Sequence, residues 1–104
     1  MEPTTFWEEA FGPGGRDTLR LLWGAKNFRT RKNKSSTFRS FKLPKGTIKI
    51  YEEHYEENTY FYWTKKYTVY FDTTNKKSPP SHFTFESTFI RHIVESMTGL
   101  TLDL

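Results

Sequence analysis

From Asn58 to Asp72 the chain reads NTYFYWTKKYTVYFD, two short runs filled with aromatic and β-branched residues and separated by Lys65-Lys66. Side chains of these types fit a pleated surface and pack on their cross-strand neighbours, so the two runs are expected as paired strands at the centre of a sheet. In the second run Tyr67, Val69 and Phe71 fall on one face at period two, and Thr68, Tyr70 and Asp72 on the other. In the first run Phe61 and Trp63 oppose Tyr60 and Tyr62. One face is thus suited to a dry core. The other is tyrosine-rich and suits either a second packed layer or a binding platform.

The chain has 104 residues, of which 35% are hydrophobic and 18% aromatic. A chain of this length buries roughly 60 to 70% of its unfolded surface around one core, so one domain is expected over residues 1–104. With few apolar residues, that core must be built from large ones, and ten Phe, six Tyr and three Trp supply the volume. The chain has no cysteine, which excludes disulfides and thiolate metal sites and suits a reducing compartment. No apolar run approaches the ~20 residues of a membrane span, and the acidic start lacks the basic and apolar regions of a signal peptide. A cytoplasmic protein without a membrane partner is expected.

The net charge of +4 conceals segregation. Residues 16–49 hold eleven Lys and Arg against Asp17 alone, whereas residues 50–64 carry four Glu and no Lys or Arg. So one-sided a block is either an anion-binding surface or a solvated loop.

Working outward from the central strands, Thr5-Phe6-Trp7-Glu8 is a capping box that starts a short helix at about Phe6, and Gly12-Pro13-Gly14-Gly15 ends it. Leu19, Leu22 and Trp23 share a face of a second short helix, closed by Gly24. Arg29 to Ser36 has no apolar residue and is expected as a surface loop. Thr37–Leu43 and Gly46–Glu53 keep a period of two around Pro44-Lys45-Gly46 and form two further strands, with Glu52 to Asn58 as a hairpin end or exposed strand tip. Thr73 to Ser81 is a break. Phe89, Ile90, Ile93, Val94 and Met97 then form the apolar stripe of a C-terminal helix, with Ser87 or Ser81 expected to cap it and Thr98-Gly99 to end it. Leu100, Leu102 and Leu104 alternate beyond it. The expected fold is α+β: a three- to four-stranded antiparallel sheet packed by the C-terminal helix, with two short N-terminal helices beside it.

Gly14 to Phe28 (GGRDTLRLLWGAKNF), Ser40-Phe41-Lys42-Leu43-Pro44, Tyr67 to Phe71 and Met97-Thr98-Gly99-Leu100 resemble a pattern in an uncharacterised family of short phage and bacterial mobile-element proteins. The resemblance covers about two thirds of the chain and departs over Lys45 to Trp63, which is longer and more charged here. It implies helices, then antiparallel strands, then a helix, and a mobile-element origin. It carries over no catalytic residue.

His54 lies among Glu52, Glu53, Glu56 and Glu57, but neighbours along a strand point to opposite faces and no second histidine motif supports a metal site. Nucleophile-elbow, phosphate-loop, zinc-protease and zinc-finger spacings are absent. The glycine cluster at Gly12 to Gly15 lacks the Lys-Ser/Thr of a phosphate loop, and helix breaking explains it. An enzyme, a cofactor and a metal are therefore not expected. The stronger candidates are Lys26, Arg29, Arg31, Lys32, Lys34, Arg39, Lys42 and Lys45, because phosphate neutralisation needs several cations close together. Tyr60 and Tyr62, with Tyr51 and Tyr55, would add stacking for unpaired bases. The leading expectation is a small binding protein that contacts DNA or RNA through this basic segment. The alternative is an inhibitor of a host or defence protein, of the anti-CRISPR kind, favoured by the abundance of Tyr, Trp and Arg.

Overall fold

A computed structural model describes residues 5–57, 62–73 and 81–102, with the side chains of 55–57 and 62–64 excepted. Helices α1 (Phe6–Phe11) and α2 (Arg16–Trp23) are followed by strands β1 (Lys26–Lys32), β2 (Ser36–Leu43), β3 (Gly46–Glu57), β4 (Tyr62–Thr73) and β5 (His82–Thr84). A 3-10 turn at Ser87–Phe89 leads into α3 (Ile90–Thr98). The strands form one antiparallel sheet in the order β1-β2-β3-β4-β5, and the fold is the expected α+β arrangement with five strands.

Five strands stand where three or four were expected, because two edge strands, β1 and β5, are added and Tyr62–Thr73 is one strand, β4. From Arg29 to Lys32 β1 occupies part of the segment expected as a loop, because an edge strand needs only backbone pairing on one side, and charged side chains protect such an edge from a second chain. β5 is three residues long and completes the opposite edge. The Tyr60-to-Phe71 region also differs from expectation. Lys65 and Lys66 do not turn the chain; they run through β4, opposite His54 and Glu53 of β3. Tyr60 lies outside the described residues, as does the side chain of Tyr62, whose backbone pairs with Glu57.

Helix α1 starts at Thr5, whose Oγ1 accepts from the Glu8 amide at 3.2 Å in the expected capping box. Gly24 closes α2 in the left-handed conformation. Leu19 and Trp23 of α2 turn inward, while Leu21 and Leu22 are exposed. In α3, Ile90 and Val94 are fully buried and Ile93 and Met97 partly so. No side chain caps α3: the 3-10 turn at Ser87 replaces the expected serine cap.

All three helices contribute to a core on one side of the sheet. Its sheet half comprises Phe41 and Leu43 of β2, Ile48 and Ile50 of β3, and Tyr67, Val69 and Phe71 of β4, all buried. Trp7 packs edge-on to Phe28 and Phe41 and stacks with Phe11, so a few rings fill the volume that more aliphatic residues fill elsewhere. Burial of each such side chain is worth about 1.5–3 kcal/mol. Gly46 allows β3 to approach β4 closely: a Cβ there would lie 2.2 Å from the Asp72 carbonyl oxygen. Leu102 folds back into the core, tied by its amide to Glu95 Oε2 at 2.8 Å, while Leu104 lies outside the described residues.

Candidate nucleic-acid interface

Period-two alternation makes the second face of the sheet as definite as the first. Cross-strand pairing links Arg31, Phe38, Tyr51, Thr68 and Phe83 in one continuous row from β1 to β5. Beside it runs Arg29, Ser40, Lys49 and Tyr70, and beyond that Lys26, Lys42, Thr47 and Asp72. Strands lie about 4.8 Å apart, so the first row spans roughly 19 Å. Among the described residues no helix packs on this face. Phe38 and Tyr70 are 38% and 39% exposed and Phe83 is 58% exposed.

A bulge adjusts the basic edge. Lys26 pairs with Lys42 and Arg29 with Ser40, so β1 carries one extra residue in this interval. Asn27 absorbs it at φ 57°, in the left-handed region that Asn tolerates better than most residues. Phe28 can then stack on Phe41 in the core while Lys26 and Arg29 both belong to the open-face rows. A depression of about 420 Å3 lies along β1 and β2, lined by Arg29, Thr30, Arg31, Phe38 and Ser40.

The ten expected contact residues divide accordingly. Lys26, Arg29, Arg31 and Lys42 come together on the open face, exposed and without an ion-pair partner among the described residues. Lys34 is exposed in the β1–β2 turn, and Lys45 in the β2–β3 turn near Trp23 and Phe71. Lys32 belongs to the helix side of the sheet. Arg39 lies apart from them: it is 9% exposed and points to the core side, where Nη1 donates to Glu52 Oε1 at 2.7 Å and the guanidinium lies 3.9 Å from the centre of the Phe6 ring. One nitrogen of this arginine is thus engaged by Glu52, and the side chain lies on the helix side of the sheet, away from the open-face cations. Its inward position follows from β2 alternation with Thr37, Phe41 and Leu43.

Sequence reasoning missed Phe38, Phe83, Lys49 and Lys66 on the open face. Lys66 lies over the Phe83 ring at 4.8 Å, and Lys49 pairs with Asp72 at 2.5 Å, so both are partly engaged. The alternation of Phe38, Ser40 and Lys42 against Arg39, Phe41 and Leu43 was the available signal.

The buried network around Arg39 contains groups with displaced proton affinities. Burial pushes the Glu52 carboxyl up, but hydrogen bonds from Arg39 and His54 outweigh it, and the charges of Arg39 and Lys65 add to them. Glu52 therefore titrates below 4.5. Burial, reinforced by the charge of Glu52, pushes the Tyr67 hydroxyl up to about 12. Among the described residues no helix is long and apolar enough to cross a membrane, and no three His, Cys, Asp or Glu side chains form a metal-ligand group.

No family model, curated protein or solved structure matches the chain.

Proposed function

We propose that this protein binds single-stranded nucleic acid on the uncovered face of its sheet. The carrying observation is the row Arg31-Phe38-Tyr51-Thr68-Phe83, flanked by Arg29 and Lys42, cations with no ion-pair partner among the described residues. Aromatic rings on an open sheet stack two or three unpaired bases, and guanidinium and ammonium groups alongside neutralise the phosphates. A duplex hides its base faces and makes poorer use of such a platform. Bases are read here through their π-faces, so sequence preference is weak, and the function is binding without chemistry on the strand.

Fluorescence anisotropy with a short single strand and its duplex tests this reading. The single strand binds more tightly, and Phe38→Ala/Tyr51→Ala weakens it by about tenfold or more, since each base–ring stack is worth about 1–3 kcal/mol. Equal affinity for duplex and strand, or an unaffected double variant, contradicts it. One observation favours a protein partner instead: Leu21 and Leu22 are 83% and 46% exposed, side by side on α2. Absence of oligonucleotide binding by the wild type would bring that reading forward.

A further inference from the structure

On the helix side of the sheet, beside α1, the apolar alternation Ile48, Ile50 of β3 continues as Glu52 and His54. A cavity of about 310 Å3 opens there, walled by four strands, the β1–β2 turn and α1. The cross-strand row Lys32-Thr37-Glu52-Tyr67 lines it, and the adjoining pair His54-Lys65 closes one end. The turn is fixed in place by the His54 amide, which donates to the Ser35 carbonyl at 3.0 Å.

The chemistry of the lining is that of an anion site. Both oxygens of Glu52 are occupied, one by Arg39 and the other by His54. Among the described residues only Nη1 of Arg39 is hydrogen-bonded, and no buried side-chain nitrogen or oxygen lacks a partner. The remaining guanidinium N–H groups and the Tyr67 hydroxyl therefore have access to solvent in the cavity. The high proton affinity of that hydroxyl keeps it a donor at neutral pH. Lys32 and Lys65 add two exposed ammonium groups, against which only Glu9 supplies a further carboxylate. The volume lies at the lower end of ligand pockets and suits one small group.

We propose that this cavity binds a phosphate monoester, and that its source is the phosphorylated end of the strand held on the opposite face. The proposal of a strand end rests on the functional reading above. A monoester carries about −1.5 to −2 charges at neutral pH, against the single charge of an internal phosphodiester. A recessed cluster of donors therefore selects the terminus. Arg31 of the open face and Lys32 of the cavity are consecutive in the edge strand β1, so a strand leaving the open face need only round the β1–β2 turn.

The test compares one oligonucleotide sequence phosphorylated at either end or at neither, together with inorganic phosphate and a nucleoside monophosphate followed by NMR shifts. Wild type, Lys32→Ala/Lys65→Ala and Arg29→Ala/Arg31→Ala are used, all altered at exposed positions. One phosphorylated end binds about tenfold more tightly than the unphosphorylated strand, as a charged hydrogen bond or two would give. The preference disappears in the lysine variant and persists in the arginine variant. Equal binding of all three strands overturns the cavity proposal and leaves the sheet-face reading intact. If no strand binds but the small phosphates do, and the lysine variant loses them, the anion site stands with a free nucleotide as its source and the sheet-face reading fails. If nothing binds, both fail.

Discussion

Arg39→Met tests what the one arginine buried on the helix side of the sheet, among the described residues, contributes to the fold. The substitution removes the 2.7 Å ion pair to Glu52 and the ring contact with Phe6, in a pair whose side chains are only 11% and 5% exposed. Breaking a buried pair by deleting one partner costs about 3–5 kcal/mol, because the other charge stays desolvated. Loss of the cation–ring contact adds about 0.5–2 kcal/mol, and the apolar Met side chain returns part of this. A net loss of about 3–4 kcal/mol remains, a large fraction of the roughly 5–15 kcal/mol that holds a domain together. For a chain near this size each kcal/mol moves the melting temperature by about 4–8 °C, so thermal unfolding at neutral pH, followed by near-ultraviolet circular dichroism, should shift down by roughly 12–32 °C. Arg39→Met/Glu52→Leu should recover much of that loss, since no charge is then left unpaired. An Arg39→Met protein melting within about 4 °C of wild type would refute the assignment of Arg39 to the fold.

The acid dependence follows from the same pair. The folded carboxyl of Glu52 lies below its ordinary 4.5, so its stabilisation is complete above that value and is lost as pH falls through the folded one; urea midpoints should drop more steeply in acid for wild type than for Arg39→Met/Glu52→Leu. Tyr67 acts at the other extreme: its hydroxyl titrates near 12 instead of 10, so the unfolded chain ionises first and stability falls between those values. An ultraviolet phenolate titration should show one late tyrosine, absent in Tyr67→Phe. Val94→Asp places a charge at a fully buried position of α3 and should abolish cooperative melting at a cost of several kcal/mol. Gly46→Ala should destabilise by at least about 1–3 kcal/mol, because its Cβ meets the Asp72 carbonyl and backbone must move; an unchanged denaturant midpoint contradicts the close approach.

The elements with strong periodicity were legible before the structure. The stripe through Ile90 and Val94, the Thr5 capping box and the alternation of Tyr67, Val69 and Phe71 each specify their element locally, and each is found in place. β1 was not legible, because KNFRTRK carries almost no apolar signal and its strand state comes from pairing with β2. The bulge at Asn27 also breaks the period of two that would have betrayed it. The basic cluster was visible as charge, but its division between two faces depends on register. Arg39 could be separated from Lys42 only by noticing that it alternates with Phe41 and Leu43, while Lys42 follows Phe38 and Ser40. The Glu52–His54 contact joins residues two apart on one face, which the broad reading of that acidic stretch did not single out.

A salt titration of single-strand binding, with wild type beside Arg29→Ala/Arg31→Ala/Lys42→Ala, tests the central claim most directly. Each phosphate contact on a single strand contributes about −0.7 to the slope of log affinity against log salt concentration. Removing three cations that have no ion-pair partner among the described residues should flatten the wild-type slope by about 2 and weaken binding uniformly across sequences, with the melting temperature unchanged. A triple variant that binds with wild-type affinity and slope would show that the open face of the sheet does not hold the strand.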